Sequence, residues 1–338
     1  MHVLSINESV IFFPGMISRR RGQFKKTIIP LINQRGSVYK SESFPPFQKR
    51  LKLKKIHTSG LIDIHVAVLL FGLAGLFGKF LALPAWFIVL GRTGFAAIAL
   101  GVVLLLTQPN KQPNDAKTIG LFGLLGLILA VHWITFFHAI QVSSVAVGLL
   151  AFSTFPVFIT CLEPWWFREK RRPMDMVTTL LVVLGLCIMV YPSSFGGAVF
   201  SGVLWGAISG FTFAILSLLN RKWVREYPPV VIAFYQNAGV TLLLLPMMAW
   251  GAVHIDAGQL GMLALLGVVC TALSHALFIR GLTFIRAQLA SVIACLEPVY
   301  GIVFAFFLLH EIPSTHTLAG GAVILMATLL AMVRRAVV

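Results

Sequence analysis

The chain has 338 residues, of which 58% are hydrophobic and only 11% are charged, whereas soluble domains carry roughly a quarter charged residues. A mean hydropathy of +0.90 places the chain among membrane proteins. The formal charge is +16, but residues 1–60 contribute 12 Lys and Arg against two acids. Most other basic residues lie in the loops between apolar segments. They do not form the basic face on a folded domain that nucleic-acid binding needs.

Residues 1–60 form a basic segment that we predict to be a disordered cytoplasmic tail. The segment lacks an apolar core followed by a small-residue cleavage site, so it does not have the pattern of a secretory signal peptide. A targeting segment for an organelle and an extension upstream of the true start are the alternatives. The basic cluster at residues 49–55 precedes the first apolar run, a position that favours contact with anionic lipid headgroups.

Ten apolar segments follow, each near the length of about 20 residues that a helix needs to cross a bilayer. Turn-forming sequences such as Gln108-Pro109-Asn110 separate them. The predicted spans are Leu61–Leu83, Ala85–Thr107, Thr118–Ala139, Ser144–Phe167, Met174–Tyr191, Val199–Asn220, Pro229–Trp250, Leu260–Ile279, Ala287–Leu309 and Thr317–Val333. The sequence therefore predicts an all-α polytopic membrane protein with ten transmembrane helices.

The basic loop residues test this count, because they follow every second span. They are Lys111, Lys117, Arg168, Lys170, Arg171, Arg172, Arg221, Lys222, Arg225, Arg280, Arg286, Arg334 and Arg335. The five connections on the other side contain no Lys or Arg. Under the positive-inside rule, both termini are then cytoplasmic. A wrong number of spans would destroy this alternation.

An internal repeat relates the two halves of the chain. Pro156-Val157 matches Pro298-Val299 at a spacing of 142 residues, and Glu169 matches Glu311 at the same spacing. The shift carries the five spans of residues 61–191 onto the five spans of residues 199–335. Because five is odd, the second half lies inverted relative to the first. Inverted repeats frame the central binding site of many secondary transporters.

Several short motifs carry a resemblance to a known family. They are Phe71-Gly72 through Lys79, Gly91-Arg92-Thr93, His132-Trp133, the stretch 139–146, Phe155-Pro156-Val157-Phe158, and Leu296-Glu297-Pro298 followed by Glu311. Over residues 61–335, as two halves, the chain resembles the EamA-like family of the drug/metabolite transporter superfamily. The resemblance implies a carrier in the inner membrane that moves amino acids, their derivatives or other small metabolites, often in export.

Charged side chains inside a membrane are expensive and mark candidate functional sites. Glu297 lies in the middle of span 9, where we interpret it as a contact for a substrate amine or as a proton-coupling group. A structural acid neutralised by a neighbouring helix is the alternative. Arg92 in span 2 is suited to holding a substrate carboxylate through two hydrogen bonds. A structural ion pair, with Glu297 among the candidates, or extension toward the headgroups is its alternative.

Four uncharged residues complete the candidate substrate site. His132 and Trp133 in span 3 offer a titratable side chain and an aromatic wall, and Asn237 in span 7 is chosen from a polar cluster of three residues. His275 in span 8 is the weakest candidate. For both histidines, a hydrogen-bonded role in helix packing is the alternative.

The sequence predicts neither an enzyme nor an ATP-driven pump. Residues 72–79 lack the spacing and the Ser or Thr of a phosphate-binding loop. Cys161, Cys187, Cys270 and Cys295 lie in apolar runs and are predicted to be small buried hydrophobes rather than metal ligands. We therefore expect a cofactor-free secondary transporter of a small molecule, working by alternating access. A lipid flippase or scramblase is the alternative function, and proton coupling and a homodimer are left open.

Overall fold

The computed structural model describes residues 47–167, 173–190, 197–250, 253–285, 290 and 293–336, and within these ranges the regular elements are helices. The α-helices are α1 (Phe47–Phe80), α2 (Ala85–Thr107), α3 (Ala116–Val142), α4 (Val145–Phe152), α5 (Phe155–Phe167), α6 (Pro173–Val190), α7 (Ala198–Trp223), α8 (Pro229–Leu244), α9 (Ala257–Gly267), α10 (Ser274–Phe284), α11 (Glu297–Leu309) and α12 (Thr315–Ala336). A 3₁₀ segment, Leu245–Trp250, follows α8. Most of the predicted N-terminal tail, residues 1–46, lies outside the described residues, as does Glu169.

Seven helical stretches of the described chain are long and apolar enough to cross a membrane. They are Thr58–Phe80, Ala85–Thr107, Ala116–Val142, Val145–Leu162, Ala198–Trp223, Pro229–Ala249 and Ala257–Phe284. These stretches correspond to predicted spans 1–4 and 6–8, while spans 9 and 10 correspond to shorter apolar helices. The all-α membrane fold is confirmed, whereas the count of ten stays a prediction.

Hydrogen bonds at helix starts explain where several helices begin. The side chain of Asp115 accepts a hydrogen bond from the backbone N–H of Thr118 at 2.8 Å and caps α3. Hydrogen bonds from Thr118 also hold the pKa of the Asp115 carboxyl below its usual range. Asp256 and Gln259 bond to each other's backbone N–H at the start of α9, the reciprocal arrangement of a capping box.

Two predicted spans are interrupted rather than continuous. Span 4 breaks at residues 153–154, between α4 and α5, and span 9 breaks at residues 295–296, immediately before α11. The two breaks are 142 positions apart, which is the spacing of the sequence repeat. Pro156 and Pro298 are the second residues of the helices that follow the breaks, where a missing N–H leaves no helical hydrogen bond unmade. Val145–Leu162 is nevertheless long and apolar enough to cross a membrane as one stretch.

Predicted span 8 is also irregular. Residues Val268–Leu273 form a π-helix between α9 and α10. Short π segments of this kind interrupt α-helices frequently at functional sites. The hydroxyl of Thr271 donates to the carbonyl of Leu266, five residues earlier, at 2.7 Å. The segment therefore has its own local hydrogen bonding, which no apolar periodicity would reveal.

Glycines bring each helix break into contact with the opposite half of the chain. A Cβ added to Gly72 in α1 would lie 3.0 Å from the carbonyl oxygen of Glu297. A Cβ added to Gly210 in α7 would lie 2.8 Å from the carbonyl oxygen of Phe152. The first helix of each half thus packs directly on the break in the other half, and small residues permit this close approach.

We expect Gly210→Ala to destabilise the protein while Gly120→Ala does not. The added methyl group at Gly210 would press on backbone atoms beside the first break, and overpacking of this kind costs about 1–3 kcal/mol. At Gly120, an exposed residue of α3, an added Cβ meets no atom within 4 Å, and helix propensity favours alanine by about 1 kcal/mol. Thermal unfolding midpoints in detergent measure both variants, and equal midpoints would contradict the packing described.

The bidentate ion pair between Asp63 and Arg280 ties α1 to α10. Arg280 Nε donates to Asp63 Oδ2 at 2.7 Å, and Nη2 donates to Oδ1. The side chain of Asp63 is 5% exposed, whereas that of Arg280 is 51% exposed.

Of the cysteines, Cys270 and Cys295 are buried as predicted, but Cys161 and Cys187 are exposed, because they lie on outward faces of α5 and α6.

Candidate substrate-binding cavity

A buried cavity lies among helices of both halves of the chain. The volume that the centre of a water molecule can reach in this cavity is about 30 Å³. The cavity is therefore a narrow slot between closely packed side chains. It is lined by Phe71, Ala74, Arg92, Leu129, His132, Trp133, Phe136, Phe152, Phe213, Leu216, Asn220, His275, Phe278 and Glu297.

Arg92 of α2 brings a guanidinium group into this cavity, and only 1% of the residue is exposed. Its Nε donates a hydrogen bond to Thr271 Oγ1 at 2.9 Å. The guanidinium carbon lies 4.1 Å from the ring centroid of Trp133 and 5.2 Å from that of Phe137. Aromatic faces attract a cation, especially one removed from water. The side chain is thus held at Nε and by stacking, while no described residue forms a hydrogen bond with its Nη groups.

Glu297 brings the opposite charge to the same cavity. It is the first residue of α11, directly after the second helix break, and is 4% exposed. Among the described residues its carboxylate has no hydrogen-bonded or ion-paired partner. Glu297 and Arg92 interact electrostatically, but their side chains do not form the ion pair that the sequence left open. A buried carboxylate without a partner is a suitable contact for a cationic group.

His132 joins the two halves of the chain across the cavity. Its Nδ1 lies 2.8 Å from the hydroxyl of Ser209 in α7 and 3.1 Å from the carbonyl of the same residue. Its ring is surrounded by aromatic side chains, with Phe213 at 5.0 Å and Phe152 at 5.4 Å between ring centroids. Nδ1 of His132 therefore has the hydrogen-bonded role in helix packing, while the ring of His132 also lines the cavity.

His275 is held in one tautomer by Asn237. The Nδ2 of Asn237 donates to the carbonyl of Ala233 at 2.7 Å, which fixes the orientation of the amide group. The same Nδ2 lies 3.2 Å from Nδ1 of His275, so this ring nitrogen acts as the acceptor. The neutral imidazole then carries its proton on Nε2. His275 is thus prepared to donate a hydrogen bond from Nε2.

Asn237 itself does not line the cavity, contrary to our expectation. It is fully buried and acts through His275, while Asn220 of α7 lines the cavity instead. Gln236 donates to Asn220 Oδ1 at 2.6 Å. Within the described chain, Ser217 Oγ, Gln236 Oε1 and Asn237 Oδ1 are buried without a hydrogen-bond partner. Such oxygen atoms accept hydrogen bonds from buried water or from a ligand.

The cavity wall follows the spacing of the repeat. Four pairs of lining residues are 142 positions apart: Phe71 and Phe213, Ala74 and Leu216, Trp133 and His275, Phe136 and Phe278. The rings of Trp133 and His275 contact each other at 5.9 Å between centroids. The charged residues have no charged counterparts, because Phe234 and Phe155 occupy the matching positions. Much of the wall is therefore built from repeat-related pairs of residues, whereas the charged residues Arg92 and Glu297 each occur once.

The structure brings five of the six predicted site residues together in one cavity: Arg92, His132, Trp133, His275 and Glu297. Their part in substrate binding stays a prediction. Sequence reasoning missed Asn220, Thr271 and the phenylalanines of the wall. A phenylalanine in an apolar helix does not by itself indicate a binding site. The spacing of 142 residues, which relates Phe71 to Phe213 and Phe136 to Phe278, could have identified these phenylalanines.

The fold and the cavity together define a multi-pass helical membrane protein with a buried, charged and aromatic central site. The sequence profile of the EamA-like transporter family matches residues 58–191 and 200–333. The two matches begin 142 positions apart and together include most of the chain. The chain belongs to the EamA-like transporter family, as the sequence motifs predicted, and is a transporter rather than an enzyme.

Relatives of known sequence agree with this assignment. The chain is 24% identical over 289 residues to "Uncharacterized transporter YxxF" of Bacillus subtilis, covering 83% of this chain and 92% of that protein. It is 22% identical to "Uncharacterized inner membrane transporter YicL" of Salmonella typhimurium, covering 74% and 87%. It is also 22% identical to "S-adenosylmethionine uptake transporter" of Rickettsia conorii, covering 68% and 77%.

A solved structure described as "Crystal structure of protein" shares the fold. It has a TM-score of 0.61 and 17% sequence identity, and the match covers 82% of this chain and 96% of that chain. At this identity the similarity concerns the fold alone.

Proposed function

We propose that the chain is a secondary transporter that exports an amino acid with a large apolar side chain, or a derivative of one, by alternating access. The observation that carries this proposal is the placement of Arg92 and Glu297, opposite in charge and not paired with each other, in one aromatic cavity. Such a cavity complements a zwitterion that also has an apolar part. Export rests on the family resemblance alone.

Each group of the substrate has a matching group in the cavity. The Nη groups of Arg92 would bind the carboxylate through two charge-assisted hydrogen bonds. The carboxylate of Glu297 would bind the ammonium group. Phe71, Phe136 and Phe278 would contact the apolar side chain, and the remaining lining residues would exclude water, which strengthens both charge interactions.

The single occurrence of each charge fixes the orientation of the substrate. A cavity built from two similar halves, with a symmetric wall, would accept a substrate in two orientations. Because Arg92 and Glu297 have Phe234 and Phe155 at the matching positions, only one orientation pairs both charges. The zwitterion would therefore keep one orientation as access changes from one side of the membrane to the other.

The proposed architecture has ten spans in two inverted halves, 61–191 and 199–335. It is supported by helix breaks at residues 153–154 and 295–296, because inverted-repeat transporters place broken helices at the central site. Rocking of one half against the other would open the cavity to alternate sides. The narrowness of the cavity fits a state between these openings.

The proposed location is the cell's inner membrane with both termini in the cytoplasm, as the loop charges indicate. Reporter fusions after Asn114 and after Asp256 test the orientation. Asn114 lies between Lys111 and Lys117, whereas residues 253–256 contain no basic side chain except His254. We expect the Asn114 fusion to report the cytoplasm and the Asp256 fusion the opposite side. Reports from one common side would overturn the proposed topology.

S-adenosylmethionine is a second candidate substrate, because several relatives of this chain are named for its uptake. It carries the same carboxylate and ammonium groups, and its sulfonium cation and adenine ring suit an aromatic wall. This candidate differs from the first in charge, in size and in the implied direction of transport.

Counterflow in proteoliposomes tests these functions. Vesicles loaded with unlabelled L-phenylalanine, L-leucine, L-lysine, D-glucose or S-adenosylmethionine are placed in the matching labelled solute. We expect accumulation with phenylalanine and leucine, and none with lysine or glucose. Accumulation of S-adenosylmethionine alone would replace the first proposal by the second. Movement of a fluorescent phospholipid without any solute flux would favour the flippase alternative instead.

A further inference from the structure

Thr271 contacts Arg92 without lining the cavity. The residue lies in the π-helical segment Val268–Leu273 and is fully buried. Its Oγ1 accepts the hydrogen bond from Arg92 Nε at 2.9 Å. The two residues are 179 positions apart and belong to opposite halves of the chain. The contact therefore forms only when α2 and the π segment are packed together.

The hydroxyl of Thr271 acts as a hydrogen-bond acceptor toward Arg92. Its proton is already donated to the carbonyl of Leu266 at 2.7 Å, so Oγ1 presents lone pairs to the guanidinium group. The donor lies five residues after the acceptor. The π segment thus orients a hydroxyl group as an acceptor for a buried cation.

Gly267 permits this contact at the level of the backbone. A Cβ at this position would lie 2.7 Å from the carbonyl oxygen of Arg92 and 2.5 Å from Cβ of Phe95. Any larger residue would push the start of the π segment away from α2. Gly267 and Thr271 are one helical turn apart, so both contact α2 at Arg92 from the same side.

We propose that Thr271 is a positioning residue that gives this transporter its preference for substrates with a carboxylate. The hydrogen bond to Nε, together with the stacking on Trp133, holds the guanidinium plane in place. With Nε engaged, the two Nη groups, which have no hydrogen-bond partner among the described residues, form the edge that can bind a carboxylate through two hydrogen bonds. This inference rests on the proposed binding of the substrate carboxylate by Arg92.

Loss of the hydroxyl would leave Arg92 Nε buried without an acceptor. An unsatisfied buried donor is unfavourable, more so when it is charged. The side chain would then turn toward the acceptor of opposite charge in the cavity, the carboxylate of Glu297. Such a turn would withdraw the Nη edge from the substrate and would also neutralise the proposed ammonium site.

Thr271→Val and Thr271→Ser variants test the proposal. The first replaces the hydroxyl by a methyl group of similar size, and the second keeps the hydroxyl. The assay is the inhibition of labelled L-phenylalanine counterflow by unlabelled L-phenylalanine and by L-phenylalaninamide, which lacks the carboxylate. The ratio of their inhibition constants within one preparation does not depend on how much protein is active.

We expect the wild type to prefer phenylalanine to its amide, Thr271→Val to reduce this preference about tenfold, and Thr271→Ser to restore it. Thr107→Val, at an exposed threonine whose hydroxyl bonds only within α2, should keep the wild-type ratio. Should Thr271→Val fail to fold, Thr271→Ala is expected to give the same loss.

The outcomes separate this inference from the proposed function. A wild type that binds phenylalanine and its amide equally would overturn carboxylate binding, and with it the proposed function. A wild-type preference that disappears in Arg92→Gln but persists in Thr271→Val would overturn the positioning role alone. An equal loss in Thr271→Val and Thr271→Ser would also overturn it, because the hydroxyl would then not be the cause.

Discussion

Arg92→Gln is expected to lower kcat/KM for L-phenylalanine by about a hundredfold or more. The guanidinium group is held by Thr271 Oγ1 and the face of Trp133, so its Nη groups would meet a carboxylate without reorganisation. Each hydrogen bond to a charged group contributes about 1.5–3 kcal/mol, and two of them correspond to at least a hundredfold in affinity. Glutamine provides neither the charge nor the paired donors.

Arg92→Lys separates the effect of charge from that of geometry. A lysine ammonium group retains the charge but lacks the planar, paired donors of arginine. We therefore expect an intermediate loss, with selectivity for phenylalanine over phenylalaninamide reduced more than the rate of transport. Initial rates of counterflow in proteoliposomes over a range of concentrations give both quantities.

Arg225→Gln is the matched control for the loss of a positive charge. Arg225 lies exposed in the connection between α7 and α8, away from the cavity. The control should transport phenylalanine like the wild type. If Arg92→Gln behaves in the same way as Arg225→Gln, then Arg92 has a structural role and the assignment of the carboxylate site is incorrect.

The charged residues of the site could be predicted from the sequence because of what it costs to bury them. Arg92 and Glu297 stand alone in apolar runs, and such residues in a membrane face the protein interior. Whether Arg92 and Glu297 pair with each other could not be predicted, because the depth of a residue along a helix does not fix the rotation of that helix. In the structure Arg92 contacts Thr271 and Trp133, and Glu297 has no ion-paired partner among the described residues.

The irregular backbone was the part of the fold that hydropathy could not show. The breaks at residues 153–154 and 295–296 and the π segment Val268–Leu273 lie inside long, predominantly apolar runs. An apolar window reports whether a segment can cross a membrane, not how its hydrogen bonds are arranged. The prolines after the breaks, Pro156 and Pro298, are 142 residues apart, so the repeat spacing relates the two interruptions that the structure shows.

Asn237 was chosen from the polar cluster of span 7, and the sequence did not single out Asn220. Both residues lie in apolar helices and carry the same amide group. In the structure the side chain of Asn237 bonds to Ala233 and His275, whereas Asn220 reaches the cavity. Which of two amides faces the cavity depends on the packing of α7 against α8, and this packing is set by contacts far apart in the sequence.

Glu297→Gln is expected to abolish the pH dependence of phenylalanine transport that arises at the ammonium site. The ionised carboxylate attracts the substrate ammonium group, whereas the protonated carboxyl does not. In the wild type, KM for phenylalanine should therefore rise as the pH falls through the range in which Glu297 takes up a proton. The glutamine variant should have a raised KM that no longer changes over that range.

Hydrocinnamate isolates the contribution of Glu297 from that of other titratable groups. It has the ring and the carboxylate of phenylalanine but no ammonium group. His132 and His275 line the same cavity, and an effect of their titration on binding of the carboxylate would appear with both solutes. The difference between the pH profiles of the two solutes should therefore vanish in Glu297→Gln, while Glu226→Gln, at an exposed loop residue, should keep it.

Proton movement separates substrate binding from coupling at Glu297. A carboxylate that only binds the ammonium group would give Glu297→Gln a higher KM without changing proton flux. A coupling carboxylate must release its proton when substrate binds, so transport would move protons in the opposite direction to the substrate. A pH-sensitive dye inside the vesicles measures this flux. Its presence in the wild type and its loss in Glu297→Gln would make the gradient of protons the driving force for export, while an unchanged proton flux in the variant would exclude Glu297 from coupling.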